Sequence, residues 1–211
     1  MAVIGITGGI GSGKSVVSRI LRCNGYEVYD CDSEAKRIMI SDALLKESLI
    51  KGIGPEIYQS DGSLNKPLLS HLLYSDDKVR IFVNNQVHAA VRRDIMDKKK
   101  GIKDFFIESA ILATGGIVPF CDKIWIVTAS DKLRIERVKK RDSLTEKEIE
   151  KRISAQKEEL SLLPHQKSIF VENNDNSPLL TRIFSVLSEE YNDKEEFRIS
   201  WNLEEILIDN Q

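Results

Sequence analysis

The residues best suited to chemistry form a glycine-rich segment near the N-terminus. Residues 8–15 read GGIGSGKS and fit the pattern G-x-x-x-x-G-K-[ST]. Glycines at this spacing allow successive backbone N–H groups to curl around a phosphate, and a helix that starts at the lysine adds the positive end of its dipole. The Lys14 ammonium can reach the β- and γ-phosphates of a nucleotide, and the Ser15 hydroxyl can ligate Mg²⁺. The candidate phosphate ligands are Gly8, Gly9, Ile10, Gly11, Ser12, Gly13, Lys14 and Ser15.

A phosphate loop of this type needs a strand before it and a helix after it, and the sequence predicts both. Ala2–Thr7 is a short run rich in Val and Ile that ends at two glycines, which is typical of a buried strand. From Lys14 the apolar residues follow helical spacing until Gly25, and Tyr26–Asp30 predicts a second strand. Strand, loop, helix and strand form a βαβ unit, so we expect a parallel sheet. This context makes a glycine-rich turn without a ligand the weaker interpretation.

The remaining elements divide between a sheet core and a helical region. Further strands are predicted at Asp104–Glu108, Lys123–Thr128 and Ser168–Glu172. Residues from about 44 to 100 carry helical patterns interrupted by short turns, which predicts a helical insertion on the core. Thr145 and Glu148 form a capping-box pattern at the start of a charged helix, and Leu179–Tyr191 predicts the last helix.

Composition and charge exclude several functional classes. The 211 residues carry 31 basic and 33 acidic side chains, a net charge of −2, so no strong field favours nucleic acid or a membrane surface as a partner. The three cysteines form no C-x-x-C pair and are expected to be reduced thiols. No apolar run approaches the roughly 20 residues of a membrane-spanning helix, and no secretion signal opens the chain. We therefore expect a soluble cytoplasmic protein.

The phosphate loop leaves several reactions open, and the rest of the sequence narrows them. A GTPase would need an Asn-Lys-x-Asp signature, whereas the only Asn-Lys pair, Asn65-Lys66, is followed by Pro-Leu. A chain of this length is too short for helicase or transporter machinery. A small kinase remains, which needs a carboxylate for the acceptor hydroxyl, an acceptor pocket and a cationic lid.

Candidates for the carboxylate and the lid follow from position. Asp30 and Asp32 come at the end of the second strand, and parallel sheets bind their ligands at the carboxyl edge. The alternative for Asp32 is to cap the following helix, a role that Asp32 or Ser33 could fill, and the alternative for either aspartate is a solvated loop charge. Arg137 and Arg141 are four residues apart on one helical face and could form the lid. The alternative for these arginines is an ordinary solvated charged helix.

These residues together resemble the dephospho-coenzyme A kinase family over about residues 3–174. The segment Thr7–Ser15 is similar to that family's version of the phosphate loop. Asp30-Cys31-Asp32 resembles its Asp-x-Asp motif, with Asp32 in the place of the proposed catalytic base. Other segments resemble family segments in the expected order, namely Asp61–Leu64, Arg141-Asp142, Arg152–Gln156 and Phe170–Asn173.

The resemblance implies an α/β fold of the P-loop NTPase type, in which a parallel sheet is flanked by helices and carries a helical substrate-binding insertion and a lid. The implied division of the chain is a core at about 1–42, 102–136 and 160–192, an acceptor-binding insertion at about 43–101, a lid at about 137–159, and a tail at 193–211 expected to pack on the core.

The implied reaction is the last step of coenzyme A biosynthesis. ATP, with Mg²⁺, phosphorylates the ribose 3′-hydroxyl of dephospho-coenzyme A to give coenzyme A and ADP. In this reaction Lys14 and Asp32 would be catalytic and Ser15 would hold the metal. Further nucleotide contacts would be Val16, Arg137, Arg141 and Asn173. We expect a monomer or a weak homo-oligomer with this small-molecule substrate as its partner.

The sequence departs from the family pattern mainly where the acceptor should bind. Asn65-Lys66 replaces the usual Asp-Arg, His88-Ala89 replaces His-Pro, and Ser109–Thr114 replaces a Pro-Leu-Leu stretch with its following acid. Val16 stands where threonine is usual, and it can still offer its backbone N–H. Glu108, at the end of the third strand, is a candidate contact to magnesium or to the acceptor. Two alternatives stay open: a kinase for another small acceptor such as a nucleoside monophosphate, and a module that binds nucleotide without catalysis.

Overall fold

The computed structural model describes residues 2–175 and 178–191, and its centre is a five-stranded sheet. The strands are β1 (Ala2–Thr7), β2 (Glu27–Asp30), β3 (Asp104–Glu108), β4 (Lys123–Thr128) and β5 (Ser168–Glu172). Their order is β2-β3-β1-β4-β5, and β1 pairs in parallel with both β3 and β4, as β4 does with β5. The predicted parallel sheet is confirmed. The tail at 193–211 lies outside the described residues.

The helices also follow the sequence prediction closely. They are α1 (Lys14–Cys23), α2 (Cys31–Ser41), α3 (Ala43–Ile53), α4 (Lys66–Ser75), α5 (Asp77–Lys98), α6 (Asp131–Arg141), α7 (Glu146–Ser161) and α8 (Leu179–Tyr191). The predicted capping box of α7 is present, because Thr145 and Glu148 each accept a hydrogen bond from the other's backbone N–H. In the described ranges, no helix combines the length and the apolar character needed to cross a membrane.

Apolar side chains bury both faces of the three central strands β1, β3 and β4, which explains why these strands are continuous apolar runs. On one face, residues of every strand pack with α1 and α8 into a single core. Phe106 lies at its centre, with its ring 5.3 Å from that of Tyr26 and 5.5 Å from that of Trp125, both in edge-on geometry. The sheet that carries the loops is therefore rigidly packed.

The chain divides into two compact units. One contains Met1–Tyr29 and Ile102–Gln211, and the other contains Asp30–Gly101. The helical unit holds α2 to α5, with α2, α3 and α4 each in contact with α5. This unit starts at Asp30 and so includes α2, whereas the predicted insertion starts at about residue 43. Its role in binding an acceptor stays a prediction.

An ion network joins α2 to α5 within the helical unit. Arg37 lies 2.7 Å from the Asp94 carboxylate, and Lys98 lies 2.9 Å from that of Glu34. Burial opposes ionisation of Glu34, but hydrogen bonds from Lys98 and Arg37 outweigh it and lower the pKa of this carboxyl. These pairs are partly exposed, so they orient the two helices more than they stabilise them.

We expect Phe106→Ala to lower the free energy of unfolding by about 3–5 kcal/mol, because it leaves a cavity between two aromatic rings. Phe170→Ala is the matched control: Phe170 lies on β5 of the same sheet but is 52% exposed. Its loss should cost about 1 kcal/mol or less, the range of strand propensities. Urea denaturation of both variants measures the difference. Equal losses would contradict the placement of Phe106 at the centre of the core.

Candidate active site

The predicted phosphate loop follows β1 and runs directly into α1. A turn within it is closed by the Ser12 N–H, which donates to the Gly9 carbonyl at 3.1 Å. Gly11 and Gly13 have φ angles of 75° and 98°, in the left-handed region that glycine adopts without strain. Gly13 is also the N-cap of α1, so the loop ends at the positive end of a helix dipole. This backbone is suited to an anion.

Lys14 and Ser15, whose side chains are expected to contact phosphates and Mg²⁺, lie where the loop enters α1. Lys14 folds back over the loop, and its ammonium donates to the Gly8 carbonyl at 2.7 Å and to the Gly9 carbonyl at 3.4 Å. Its positive charge is therefore held above the loop. Ser15 and Val16 stand exposed in the first turn of α1. The Val16 N–H donates to the Gly13 carbonyl at 3.0 Å, so in this structure it is used inside the first turn of the helix.

The tip of the loop is held by two side chains from other helices. Gln156 of α7 accepts a hydrogen bond from the Ile10 N–H at 2.6 Å, and Arg134 of α6 donates to the Ile10 carbonyl at 2.9 Å. The Arg134 guanidinium covers Gly9 so closely that a Cβ atom there would collide with its Nη2. Both polar groups of Ile10 are thus paired outside the loop.

Asn173 and Arg137 adjoin the other end of the loop. Asn173 directly follows β5, and its side-chain amide donates to the Ser12 carbonyl at 2.8 Å. Arg137 donates from Nη2 to the Asn173 carbonyl at 3.0 Å and to Asp175 at 3.3 Å. Its Nη1 is buried and has no hydrogen-bond partner among the described residues. A buried guanidinium nitrogen in this position is an available donor for a ligand.

The structure does not bring Arg141 to the loop. Its guanidinium binds both oxygens of the adjacent Asp142 at 3.0 and 2.8 Å, and its side chain is 63% exposed. Hydrogen bonding between the two raises the pKa of Arg141 and lowers that of Asp142. Of the two predicted lid arginines, only Arg137 therefore contacts a residue that binds the loop.

The loop after β3 lies beside the phosphate loop and is anchored from α7. Glu108, at the end of β3, pairs in register with Ile6 of β1, so it flanks the start of the phosphate loop. Further on, the buried Glu159 carboxylate accepts hydrogen bonds from the N–H groups of Ala113 and Thr114, at 2.6 and 3.1 Å, and from the Thr114 hydroxyl at 2.7 Å. The segment that departs from the family pattern is therefore well ordered by hydrogen bonds.

In the helical unit, Asp30 and Asp32 have different structural roles. Asp30 is the N-cap of α2: it accepts hydrogen bonds from the Asp32 and Ser33 N–H groups at 3.0 and 3.3 Å, and from the Ser33 hydroxyl at 2.8 Å. The expectation that Asp32 or Ser33 caps this helix is wrong, because Asp30 is the residue in extended conformation just before it. The Asp32 side chain is exposed and takes no part in the cap.

Three residues that support the site, Arg134, Gln156 and Glu159, are not among the predicted site residues. Arg134 precedes Arg137 by three positions and shares its helical face, so the spacing that selected Arg137 and Arg141 could have included it. Gln156 ends a segment that resembles the family, but nothing in the residue type points to the phosphate loop. No local sequence pattern marks Glu159, because its three hydrogen-bond donors come from a loop that is distant in the chain.

The fold and the site together define a class. A parallel sheet whose first strand runs into a glycine-rich loop with a lysine and a serine at a helix N-terminus is the arrangement of the P-loop kinases. Within that class, the sequence matches the family model described as dephospho-CoA kinase over residues 2–178. The chain belongs to the dephospho-CoA kinase family.

Individual relatives agree with this assignment. The dephospho-CoA kinase of Porphyromonas gingivalis is 38% identical over 164 residues, which cover 77% of this chain and 81% of the relative. That of Bacteroides fragilis is 35% identical over 188 residues, covering 88% and 91%. The crystal structure of TT1252 from Thermus thermophilus has a TM-score of 0.72 at 30% identity, covering 90% of this chain and 97% of that one.

The cap geometry predicts distinct effects of two substitutions at Asp30. Asp30→Ala removes the acceptor for two backbone N–H groups and should cost about 1 kcal/mol of unfolding free energy. Asp30→Asn keeps a capping oxygen and should cost little, since asparagine caps about as well as aspartate. Thermal and urea unfolding of both variants measure the effect. Equal destabilisation by Asn and Ala would show that charge, and not capping, is what Asp30 contributes.

Proposed function

We propose that this protein transfers the γ-phosphoryl group of ATP to the ribose 3′-hydroxyl of dephospho-coenzyme A, giving ADP and coenzyme A. The observation that carries the proposal is a complete phosphate loop, with Lys14 held over it, in a chain that matches the dephospho-CoA kinase family over residues 2–178. The family supplies the acceptor, and the loop supplies the donor site.

The donor site works by position and charge. The loop N–H groups and the N-terminus of α1 would hold the β-phosphate, and the Lys14 ammonium would leave its carbonyl partners to contact the β- and γ-phosphates. Charge shifts toward the β–γ bridging oxygen as the bond to the γ-phosphorus breaks, so a cation fixed there stabilises the transition state. Lys14 is that cation.

The residues present fit a magnesium ion that arrives with the nucleotide. No group of three or more His, Cys, Asp or Glu side chains is arranged to hold a metal in the part of the chain that is described. Ser15, exposed in the first turn of α1, would contribute its hydroxyl, with phosphate oxygens completing a shell of hard oxygen ligands. When bound, Mg²⁺ neutralises charge on the β- and γ-phosphates. Glu108, beside the start of the loop, is a further candidate in its surroundings.

Arg137 and Asn173 are proposed to bind the nucleotide at the far end of the loop. The unpaired, buried Nη1 of Arg137 and the contact of Asn173 with Ser12 support this placement. Arg141 is exposed and bound only to its neighbour, so a role over the phosphates would require it to leave Asp142. We also propose the region at about 137–159 as the lid, because Arg137 at its start contacts Asn173 beside the loop.

Asp32 is proposed to take the proton of the acceptor hydroxyl. It follows β2, a member of the parallel sheet, and acceptors in such folds bind beyond the carboxyl ends of the strands. Asp30 is occupied by the helix cap, whereas the Asp32 carboxylate is exposed and outside the cap. A carboxylate that is not committed to structure can orient a hydroxyl and accept its proton.

The proposed setting is a cytoplasmic monomer or weak homo-oligomer that acts on this small molecule and needs neither nucleic acid nor a membrane. The near balance of charge, at −2 overall, supports the absence of an electrostatic partner surface.

The proposal predicts a clear acceptor preference. In a coupled assay of ADP release, dephospho-coenzyme A should give turnover well above AMP, CMP and shikimate, each tested with ATP and Mg²⁺. Phosphate transfer to the 3′-hydroxyl is then checked by mass spectrometry of the product. Lys14→Ala is the matched blank, since it removes the ammonium that neutralises the leaving phosphate. Turnover with AMP or CMP alone would show that the acceptor is a nucleoside monophosphate. No turnover with any acceptor would indicate a protein that binds nucleotide without catalysis.

Asp32→Asn tests the proposed base. Asparagine keeps the size of the side chain but cannot accept a full proton, so we expect kcat with dephospho-coenzyme A to fall about 10²–10⁴-fold. Affinity for ATP should change little, because the phosphate loop binds the nucleotide independently. Steady-state kinetics at saturating ATP measure the loss.

Asp30→Asn is the control for that experiment, because it neutralises the neighbouring carboxylate while keeping the helix cap. It should leave kcat within a few-fold of the parent. A larger loss of kcat in Asp30→Asn than in Asp32→Asn would identify Asp30 as the base. An unchanged kcat in both variants would exclude both aspartates as the base.

A further inference from the structure

The peptide groups on either side of Ile10 are fixed from outside the phosphate loop. Ile10 stands between Gly9 and Gly11, so neither neighbour has a side chain that could anchor the tip. Its N–H donates to the Gln156 side chain at 2.6 Å, and its carbonyl accepts from Arg134 at 2.9 Å. A flexible, glycine-flanked tip therefore has both of its polar groups satisfied by helices α6 and α7.

Arg134 is itself held in one orientation. Its side chain is only 12% exposed, and its Nη1 binds Asp131, one turn earlier on α6, at 2.9 Å. Nε donates to the Ile10 carbonyl, and Nη2 occupies the space that a Cβ of Gly9 would take. The backbone of Arg134 also limits the loop, because a Cβ at Gly11 would lie 2.6 Å from its carbonyl oxygen. A planar guanidinium fixed at three points is a rigid support.

Apolar contacts join the same helices to the tip. The Ile10 side chain packs on a small core formed by Val138 of α6 with Ile149 and Ile153 of α7. Gln156 follows Ile153 by three residues, so both side chains lie on one face of α7. The tip of the loop is thus docked on α6 and α7 by packing and by hydrogen bonds, all within one compact unit.

We propose that Arg134 and Gln156 are positioning residues that hold the phosphate loop in the shape that binds the β-phosphate. They act through the loop backbone: with Ile10 fixed at both peptide groups, the following N–H groups stay directed inward before a nucleotide arrives. Gln156 suits this position because its amide oxygen accepts the hydrogen bond without adding a negative charge beside a phosphate site. The inference rests on the proposed use of the loop for ATP and extends it to two residues outside the motif.

The test measures what the β-phosphate adds to binding. ADP and AMP differ by that group, so the ratio of their dissociation constants, measured by calorimetry, reports on the loop. In Gln156→Met the side chain keeps its length but loses its acceptor. We expect the advantage of ADP over AMP to fall about 3- to 10-fold, the range for one hydrogen bond. If the substitution only destabilised the fold, it would weaken the binding of ADP and AMP equally and leave the ratio of their dissociation constants unchanged.

Arg134→Lys is the second variant, because it keeps the positive charge but lacks Nε and the planar fork. It should lower the same ratio by a similar factor, and it decides the question alone if Gln156→Met does not fold. Ser154→Met is the control: Ser154 is exposed and lies on the opposite face of α7 from Gln156, so the ratio should equal that of the parent.

An unchanged ratio in both Gln156→Met and Arg134→Lys would overturn the proposal. Binding of ADP and AMP needs no acceptor, so this result is independent of which acceptor the parent enzyme phosphorylates. Failure of turnover with dephospho-coenzyme A would contradict the proposed function and leave the positioning role standing.

Discussion

A site that binds anions through backbone N–H groups has no side chains of its own to keep its shape. The surrounding elements of the sheet unit must therefore hold the loop in place. In the proposed nucleotide site, the N–H groups of the phosphate loop stay directed inward because its carbonyls and its tip are held by other side chains. Lys14 binds the carbonyls at the start of the loop, Asn173 binds that of Ser12, and Arg134 and Gln156 hold Ile10. Every one of these contacts comes from an element fixed by the parallel sheet or by the helices beside it.

The same constraint accounts for the small residues of the loop. Gly9 lies under the Arg134 guanidinium, and a Cβ at Gly13 would collide with the Asn173 side chain. At Gly13 the left-handed backbone favours glycine as well, whereas at Gly9 the close approach of Arg134 is what favours it. The side chains that support the loop take the space that larger residues would fill, so the motif and its supports depend on each other.

Three carboxylates near the start of α2 in the helical unit have different hydrogen-bond partners. Asp30 satisfies the free N–H groups at the start of α2, which leaves Asp32 exposed and uncommitted. Glu34, one turn further on, accepts hydrogen bonds from Lys98 and Arg37 that lower its pKa and link α2 to α5. These three neighbouring acids thus have three different surroundings, and Asp32 is the one that we propose as the proton acceptor.

The sequence alone determined the elements and the phosphate loop, because both depend on local rules. Apolar runs gave the strands, helical spacing and the Thr145–Glu148 cap gave the helices, and the G-x-x-x-x-G-K-S segment gave the loop with Lys14 and Ser15. Only the tertiary structure decided which strands are neighbours, since the order β2-β3-β1-β4-β5 depends on contacts between residues far apart in the chain. It also decided that Asp30 is the cap, because the choice among Asp30, Asp32 and Ser33 depends on backbone angles. The partners of Ile10 lie 124 and 146 residues away, and no local pattern carries information over such distances.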